Sequence, residues 1–199
     1  MATAAPNSTD FETARRAMID SQLRTSGVNE PWVLARFASV PREDFVPQEA
    51  RAAAYTDRAV RLDNDGVLAS PLFHARLLSE ARPTHADSVL VVDGGSGYLP
   101  ALLEGLARSV AVLSPAEVFS GSGAGGYSVL LVDGAAEHLP DQLVERLAEG
   151  ARVATGIVDD GVSRLAIGRK TSGAVALLPL AEMGIPRIAA FDRPKAWTF

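Results

Sequence analysis

The stretch Ser88-Val-Leu-Val-Val-Asp-Gly-Gly-Ser-Gly-Tyr98 constrains the fold of this chain more than any other. A short apolar run rich in valine, ended by glycines, reads as a strand buried on both faces. The glycines at 94, 95 and 97 break regular structure, and Leu99 to Ala107 resumes as a helix. Strand, glycine turn and helix in that order turn backbone N–H groups and a helix N-terminus toward solvent, with no side chain in the way. That arrangement suits a small anionic or nucleotide-type ligand.

The pattern on either side differs. Residues 1–8 read as a frayed tail. Thr9-Asp-Phe-Glu12 fits a capping box, with Phe11, Ala14 and Met18 at helical spacing and a stop at Gly27. Asn29-Glu-Pro31 opens a second helix through Val40, Gln48 to Tyr55 a third, and Ser70-Pro71 a fourth to about Ala81. Asp63-Asn-Asp-Gly66 reads as a turn. Beyond residue 82 strands and helices alternate: strand 88–92, helix 98–107, strand 109–113, strand 129–132, helix 141–148, strand 153–158. Further strand candidates lie near 163–168, 174–178 and 186–191, the last running into the aromatic, basic terminus Phe191–Phe199, which reads as a final strand or as a docking segment. Alternation predicts an α/β fold, a parallel-rich sheet with helices on both faces beneath a helical N-terminal cap. The chain is expected to form a single domain over 1–199, with the cap at 9–81 and the sheet at 82–199.

Composition narrows the function. The 199 residues carry a net charge of −5 and no Lys/Arg cluster, so nucleic-acid binding lacks an electrostatic footprint. No cysteine is present, which excludes disulfides and thiolate chemistry. No apolar run approaches the ~18 residues of a membrane span, and the N-terminus lacks the charged and apolar regions of a signal peptide, so a cytoplasmic protein is expected. His74, His85 and His138 are not at metal-ligand spacing, so no metal site is expected, and His74, among Leu72, Phe73 and Leu77, reads as packing or surface.

Specific residues carry a resemblance. Met18, Gln22-Leu-Arg24, Gly27, Val33-Leu34, Val40-Pro-Arg-Glu43, Phe45-Val-Pro47, Arg51, Tyr55 and Asp57 resemble the protein-L-isoaspartate O-methyltransferases. The likeness continues through the Gly-Ser-Gly-Tyr turn, Val129–Leu147 and Glu149-Gly-Ala-Arg-Val153. It implies a Rossmann-like methyltransferase fold, S-adenosylmethionine as cofactor, and isoaspartyl-containing peptides or proteins as substrate. Carried over by position, it points to Asp93, Gly95, Ser96, Gly97 and Ser114 as cofactor-binding residues and to Ser70 as the catalytic hydroxyl; Asp133, which follows a strand at the C-terminal sheet edge where open α/β sheets bind ligands, is a further cofactor-binding candidate, although the resemblance implies mainly backbone contact there.

The chain departs from the family pattern at four places. Val91 stands where an acidic residue is expected. Asp93 stands where a glycine is expected, and its side chain either crowds the cofactor's methionyl end or bonds its ammonium. Ser114 replaces the carboxylate that would take both ribose hydroxyls, with Glu117 in the next turn as a substitute. Fifteen residues between Leu113 and Val129 are too few for the family's next helix and strand, so one strand–helix unit is expected to be deleted after residue 114. Extended, they reach roughly 50 Å, enough to return along one strand and across two strand spacings. The sheet edge so exposed invites self-association as a homodimer. Finally, Val67-Leu-Ala-Ser-Pro71 puts Ala69 at the hydroxyl position and Ser70 one residue late, where Ser70 also reads as a helix N-cap. Two readings follow: a working methyltransferase, in which Gly95→Val should abolish binding without unfolding the protein, or a non-catalytic relative serving as a binding or scaffold module.

Overall fold

The computed structural model describes residues 8–120 and 124–194. Residues 1–7 of the tail expected at 1–8 and residues 195–199 of the expected C-terminal segment lie outside them, whereas Ser8 already belongs to a helix.

Helix α1 (Ser8–Met18) continues through a π-helical turn at Ile19–Leu23. Phe11, Met18, Ile19 and Leu23 line its buried side. Gly27 ends it at φ +86°, where the Val28 N–H reaches the Leu23 carbonyl and the Gly27 N–H that of Arg24. This is the paired closure that a left-handed residue after a helix permits. Helix α2 (Pro31–Ser39) starts on Pro31 and buries Val33, Leu34 and Phe37. Residues Gln48–Ala53 form a 3-10 helix in place of the expected third helix. The turn at 63–66 joins two short strands, β1 (Val60–Arg61) and β2 (Val67–Leu68), so the cap carries a small hairpin as well as helices. Helix α3 (Pro71–Ala81) completes it.

The main sheet comprises β3 (Ser88–Val92), β4 (Ser109–Leu113), β5 (Tyr127–Ala136), β6 (Leu147–Asp159), β7 (Val162–Thr171) and β8 (Ala174–Glu182), in the spatial order β4-β3-β5-β6-β7-β8. The pairs from β4 to β6 are parallel, and β6, β7 and β8 form an antiparallel meander. Helix α4 (Tyr98–Leu103) follows β3, shorter than expected because Gly105 turns the chain at φ +74°. Helix α5 (Asp141–Glu145) is short too, since β6 begins at Leu147, well before the expected 153. The strand expected at 186–191 is instead a single bridge, Ala135 to Arg187, and a 3-10 turn at Ala189–Phe191. Among the described residues no strand lies beyond β4, and a single 3-10 turn (Glu117–Phe119) occupies the described part of the link to β5.

Burial on both faces explains why β3 and β5 read as unbroken apolar runs. Val89, Val91, Val129 and Leu131 pack against the cap helices in the larger core. Leu90, Val92, Leu130 and Val132 face the other side. That second face is thinly covered, by Leu143 of α5, Val118, Ile188 and Phe191, a lighter layer than the helices expected on both faces.

Candidate functional site

Strands β3 and β4 run to one side and β5 to the other, so the strand order reverses between β3 and β5. Open α/β sheets bind ligands at the carboxyl ends of the strands at such a point. Here the β3 end carries Asp93 and the glycine turn, and the β5 end carries Asp133 within a break in register between Leu131 and Ala135. Such an irregularity re-aims side chains at a strand end.

The turn is built by its own residues. Gly95 and Gly97 sit at φ +99° and +71°. Asp93, almost fully buried, folds its carboxylate over the turn and accepts hydrogen bonds from the Gly95 N–H (2.8 Å) and the Gly97 N–H (3.1 Å). Those are the donors the open turn was expected to offer a ligand. Burial, then the neighbouring Asp133, pushes the Asp93 carboxyl above the usual carboxylate range. Ser96 Oγ accepts from the Tyr98 N–H at 3.1 Å, holding the start of α4. The β1–β2 hairpin docks directly on the turn: the Val67 N–H donates to the Gly94 carbonyl at 2.9 Å and Asn64 Nδ2 to that of Gly95 at 3.0 Å. A Cβ on Gly95 would lie 2.9 Å from Gly66 Cα. Gly95→Val therefore strains the fold as well as the turn, contrary to the expectation that it would spare stability.

Beneath the turn lies a buried polar chain. Arg42, wholly buried, donates from Nε to the Ala54 carbonyl (2.7 Å), from one terminal nitrogen to the Ala69 carbonyl and from the other toward His74 Nδ1 (3.2 Å). Its guanidinium also stacks 5.0 Å from the centre of the Tyr98 ring. Burial pulls its pKa down to about 10. His74 Nε2 lies 2.8 Å from Asp133 Oδ1, both side chains being fully buried. Asp133 Oδ2 is buried too, with no hydrogen-bond partner among the described residues. A buried acceptor left unpaired costs about 1–3 kcal/mol and marks a place where a donor or cation is wanted.

Ser70 caps α3, its Oγ accepting from the Phe73 N–H at 3.3 Å. Ser114 closes the end of β4, where its N–H and Oγ both donate to one carboxylate oxygen of Glu117, at 2.7 and 2.8 Å. Those bonds hold the Glu117 carboxyl below its usual range. A carboxylate is thereby present at this strand end, supplied three residues late. The structure thus brings Asp93, Gly95, Ser96, Gly97 and Asp133 together at the switch point, puts Ser114 at the neighbouring strand end, and employs Ser70 in the cap of a helix.

Two residues of the site escaped sequence reasoning as functional groups. Arg42 was legible only as part of the resembling run Val40-Pro-Arg-Glu43. His74 has a signal that was available: it falls on the buried face of α3 beside Phe73, Leu77 and Leu78, and a buried imidazole needs a polar partner.

Two open grooves border the turn and the β1–β2 hairpin docked on it. One, of about 320 Å3, is lined by Asp44, Phe45, Pro47, Asn64, Gly95 and Ser96. The other, of about 530 Å3, lies between the β1–β2 hairpin and residues 184–187 and includes Arg61.

Known proteins resemble this chain in sequence and in fold. The family model described as protein-L-isoaspartate(D-aspartate) O-methyltransferase matches residues 13–118, more than half of the chain. A protein-L-isoaspartate O-methyltransferase of Koribacter versatilis is 31% identical, the match covering 85% of this chain and 88% of that one. One from Methanoregula boonei is 33% identical, over 70% of this chain and 76% of its own. Among solved structures, a Plasmodium falciparum protein described as a protein-L-isoaspartate O-methyltransferase, in complex with S-adenosyl-L-homocysteine, superposes with a TM-score of 0.67 at 16% identity. That match covers 90% of this chain and 98% of that one. Another protein-L-isoaspartate O-methyltransferase gives 0.71 at 17% identity, over 88% of this chain and 66% of that one. The fold is thus the Rossmann-like methyltransferase fold, and the chain belongs to the protein-L-isoaspartate O-methyltransferase family.

Proposed function

We propose that this protein transfers a methyl group from S-adenosylmethionine to isoaspartyl carboxylates of damaged proteins. The observation that carries the reading is family membership over most of the chain together with a glycine turn at the β3–β5 switch point, set beside an orphaned buried carboxylate oxygen. The acceptors present suit this cofactor: Asp93 places a carboxylate at the turn for its ammonium, and Glu117 places one at the β4 end for the hydroxyls of a ribose diol, while the Asp133 carboxyl is fully buried. The N–H groups of Gly95 and Gly97, already engaged by Asp93, are the part of the site least open to it.

When bound, the cofactor supplies a methyl group activated on a sulfonium. The acceptor carboxylate is already a nucleophile at neutral pH, so no side chain has to remove a proton from it. What remains for the protein is positioning, which is worth many powers of ten when two reactants are held in line. Under this reading the cofactor takes the groove beside Gly95 and Ser96, and the peptide takes the groove beside Arg61, whose exposed guanidinium attracts the acidic residue. Ser70 serves by fixing the start of α3 rather than by touching substrate.

Residues 9–194 act as one folding unit in this reading, because cap and sheet share a continuous core. No described helix is long and apolar enough to cross a membrane, and a cysteine-free chain suits the cytoplasm. The outer edge of β4, unpaired among the described residues and with Val112 exposed, supports a homodimer, which light scattering would detect. Titration calorimetry with S-adenosylmethionine and S-adenosylhomocysteine, followed by methyl transfer to an isoaspartyl peptide, tests the activity. Micromolar binding and turnover are expected. No heat up to millimolar ligand would leave the non-catalytic binding module.

A further inference from the structure

The thin cover on the second face of the sheet leaves a groove of about 730 Å3, larger than either groove beside the glycine turn. Leu139 and Val144 wall it on the α5 side, with Ile157 of β6 and Val175 and Leu177 of β8 opposite, and all five are only half-buried. Apolar side chains in that state keep surface that a further apolar layer takes from water. The rim is acidic: Glu137, Asp141, Asp159 and Asp160 border the groove, against the single cation Arg193. The chain itself arrives at this rim. Phe191 is buried in the layer over the same face. Beyond it the backbone is pinned, since Arg187 pairs with Asp192 at 2.7 Å and with Glu137, and the Arg193 N–H donates to Glu137 at 2.8 Å. The five residues that follow Pro194 are Lys195-Ala-Trp-Thr-Phe199. They span roughly 17 Å when extended, and in an extended chain positions 195, 197 and 199 share one side.

We infer that this groove is the docking site of the chain's own segment 195–199. The Trp197 and Phe199 rings lie on the half-buried apolar residues, and the Lys195 ammonium sits among the rim carboxylates. Three features of the page agree on this occupant. The apolar floor suits two aromatic rings, each of which covers about 150–250 Å2. The four acidic groups of the rim suit a cation. The segment also starts at the rim, so docking is intramolecular, at an effective concentration on the order of millimolar, and a weak contact is enough to hold it. The rings then complete the layer that Leu143, Val118, Ile188 and Phe191 begin. This inference is independent of the methyltransferase reading, because the groove shares no residue with the two beside the turn and the hairpin.

The test uses the full chain and needs no ligand. The sequence has two tryptophans, Trp32 and Trp197, so Trp32→Phe leaves Trp197 as the reporter. Docking predicts blue-shifted emission and acrylamide quenching several-fold weaker than in the urea-unfolded chain. Emission and quenching equal to those of the unfolded chain overturn the inference. Cross-linking then tests the place, and it decides the matter alone if Trp32→Phe fails to fold. The chain has no cysteine, so an introduced pair reacts only with itself. Phe199→Cys is combined with Val175→Cys in the groove, or with Leu178→Cys, which lies on the same strand, faces the other side of the sheet and is 61% exposed. Trp197 remains to hold the segment. The intramolecular disulfide to position 175 is expected to form about tenfold or more faster than that to 178, as a raised effective concentration at the docked position requires. Equal rates, or a preference for the more exposed position 178, overturn the inference. A disulfide between two chains, giving a covalent dimer, overturns it too, by placing the segment in a second copy's groove.

Discussion

Replacing Arg42 by methionine tests whether the buried polar chain holds the cap to the sheet. The side chain is wholly buried and joins the Ala54 and Ala69 carbonyls of the cap to His74 and, through it, to Asp133 on β5. Methionine fills similar volume, so the cavity left is small. The loss is electrostatic: two buried carbonyls give up their donor, at about 1–3 kcal/mol each, and a buried carboxylate gives up its compensating cation, at about 3–5 kcal/mol. These costs overlap, because water admitted at one site relieves another, and we expect a net loss of about 4 kcal/mol. For a chain of this size that lowers the melting temperature by roughly 8–16 °C. Urea unfolding followed by circular dichroism measures it. The charge component is isolated by the double variant Arg42→Met/Asp133→Asn, which should recover about 1–3 kcal/mol over additivity. A single-variant loss below about 1 kcal/mol, or strict additivity in the double, would refute the coupling of Arg42 to Asp133.

Asp87 anchors β3 to its neighbours by accepting from Thr84, Ser128 and Arg152, each at 2.8 Å. Burial works against its charge, yet these bonds prevail and bring its pKa down to about 2. Its contribution is complete above the unfolded value near 4 and disappears as pH falls toward 2, so Asp87→Asn should lose about 2 kcal/mol at pH 7 and show a flatter acid limb in pH-dependent unfolding. Asp93 has the opposite sign. Its raised pKa favours the fold below the unfolded value and is a cost once pH climbs past the folded one, so Asp93→Asn should match the wild type near pH 3 and gain on it by pH 7. An advantage confined to acid pH would refute that sign. At Gly156 a Cβ would sit 2.9 Å from Ala135 Cα and from the Gly134 carbonyl oxygen. Because the obstruction is backbone, Gly156→Ala should cost about 2–3 kcal/mol in thermal unfolding; a neutral effect would mean that β5 and β6 can separate locally.

The chain of local signals carried a long way here. Val89–Val92 and Val129–Val132 announce buried parallel strands because both faces of each are covered. Gly27, Pro31 and Ser70 mark helix ends through backbone restrictions that act within a few residues, and the fifteen residues after Leu113 were visibly short for another strand–helix unit. Even the carboxylate that Asp93 places at the start of the glycine turn was plain in the sequence. What it does was not: only the fold bends that carboxylate onto the Gly95 and Gly97 N–H groups. The lengths of β6, β7 and β8 were likewise undecided, since a meander is fixed by pairing between strands and not by any one of them. The chain Arg42–His74–Asp133 lay furthest from view. Its members come from the cap, from α3 and from β5, separated by 32 and 59 positions, and no local preference foretells such a meeting. Sequence sets what each short segment prefers, while tertiary packing alone decides which buried charges must share one interior and whether their sum is zero.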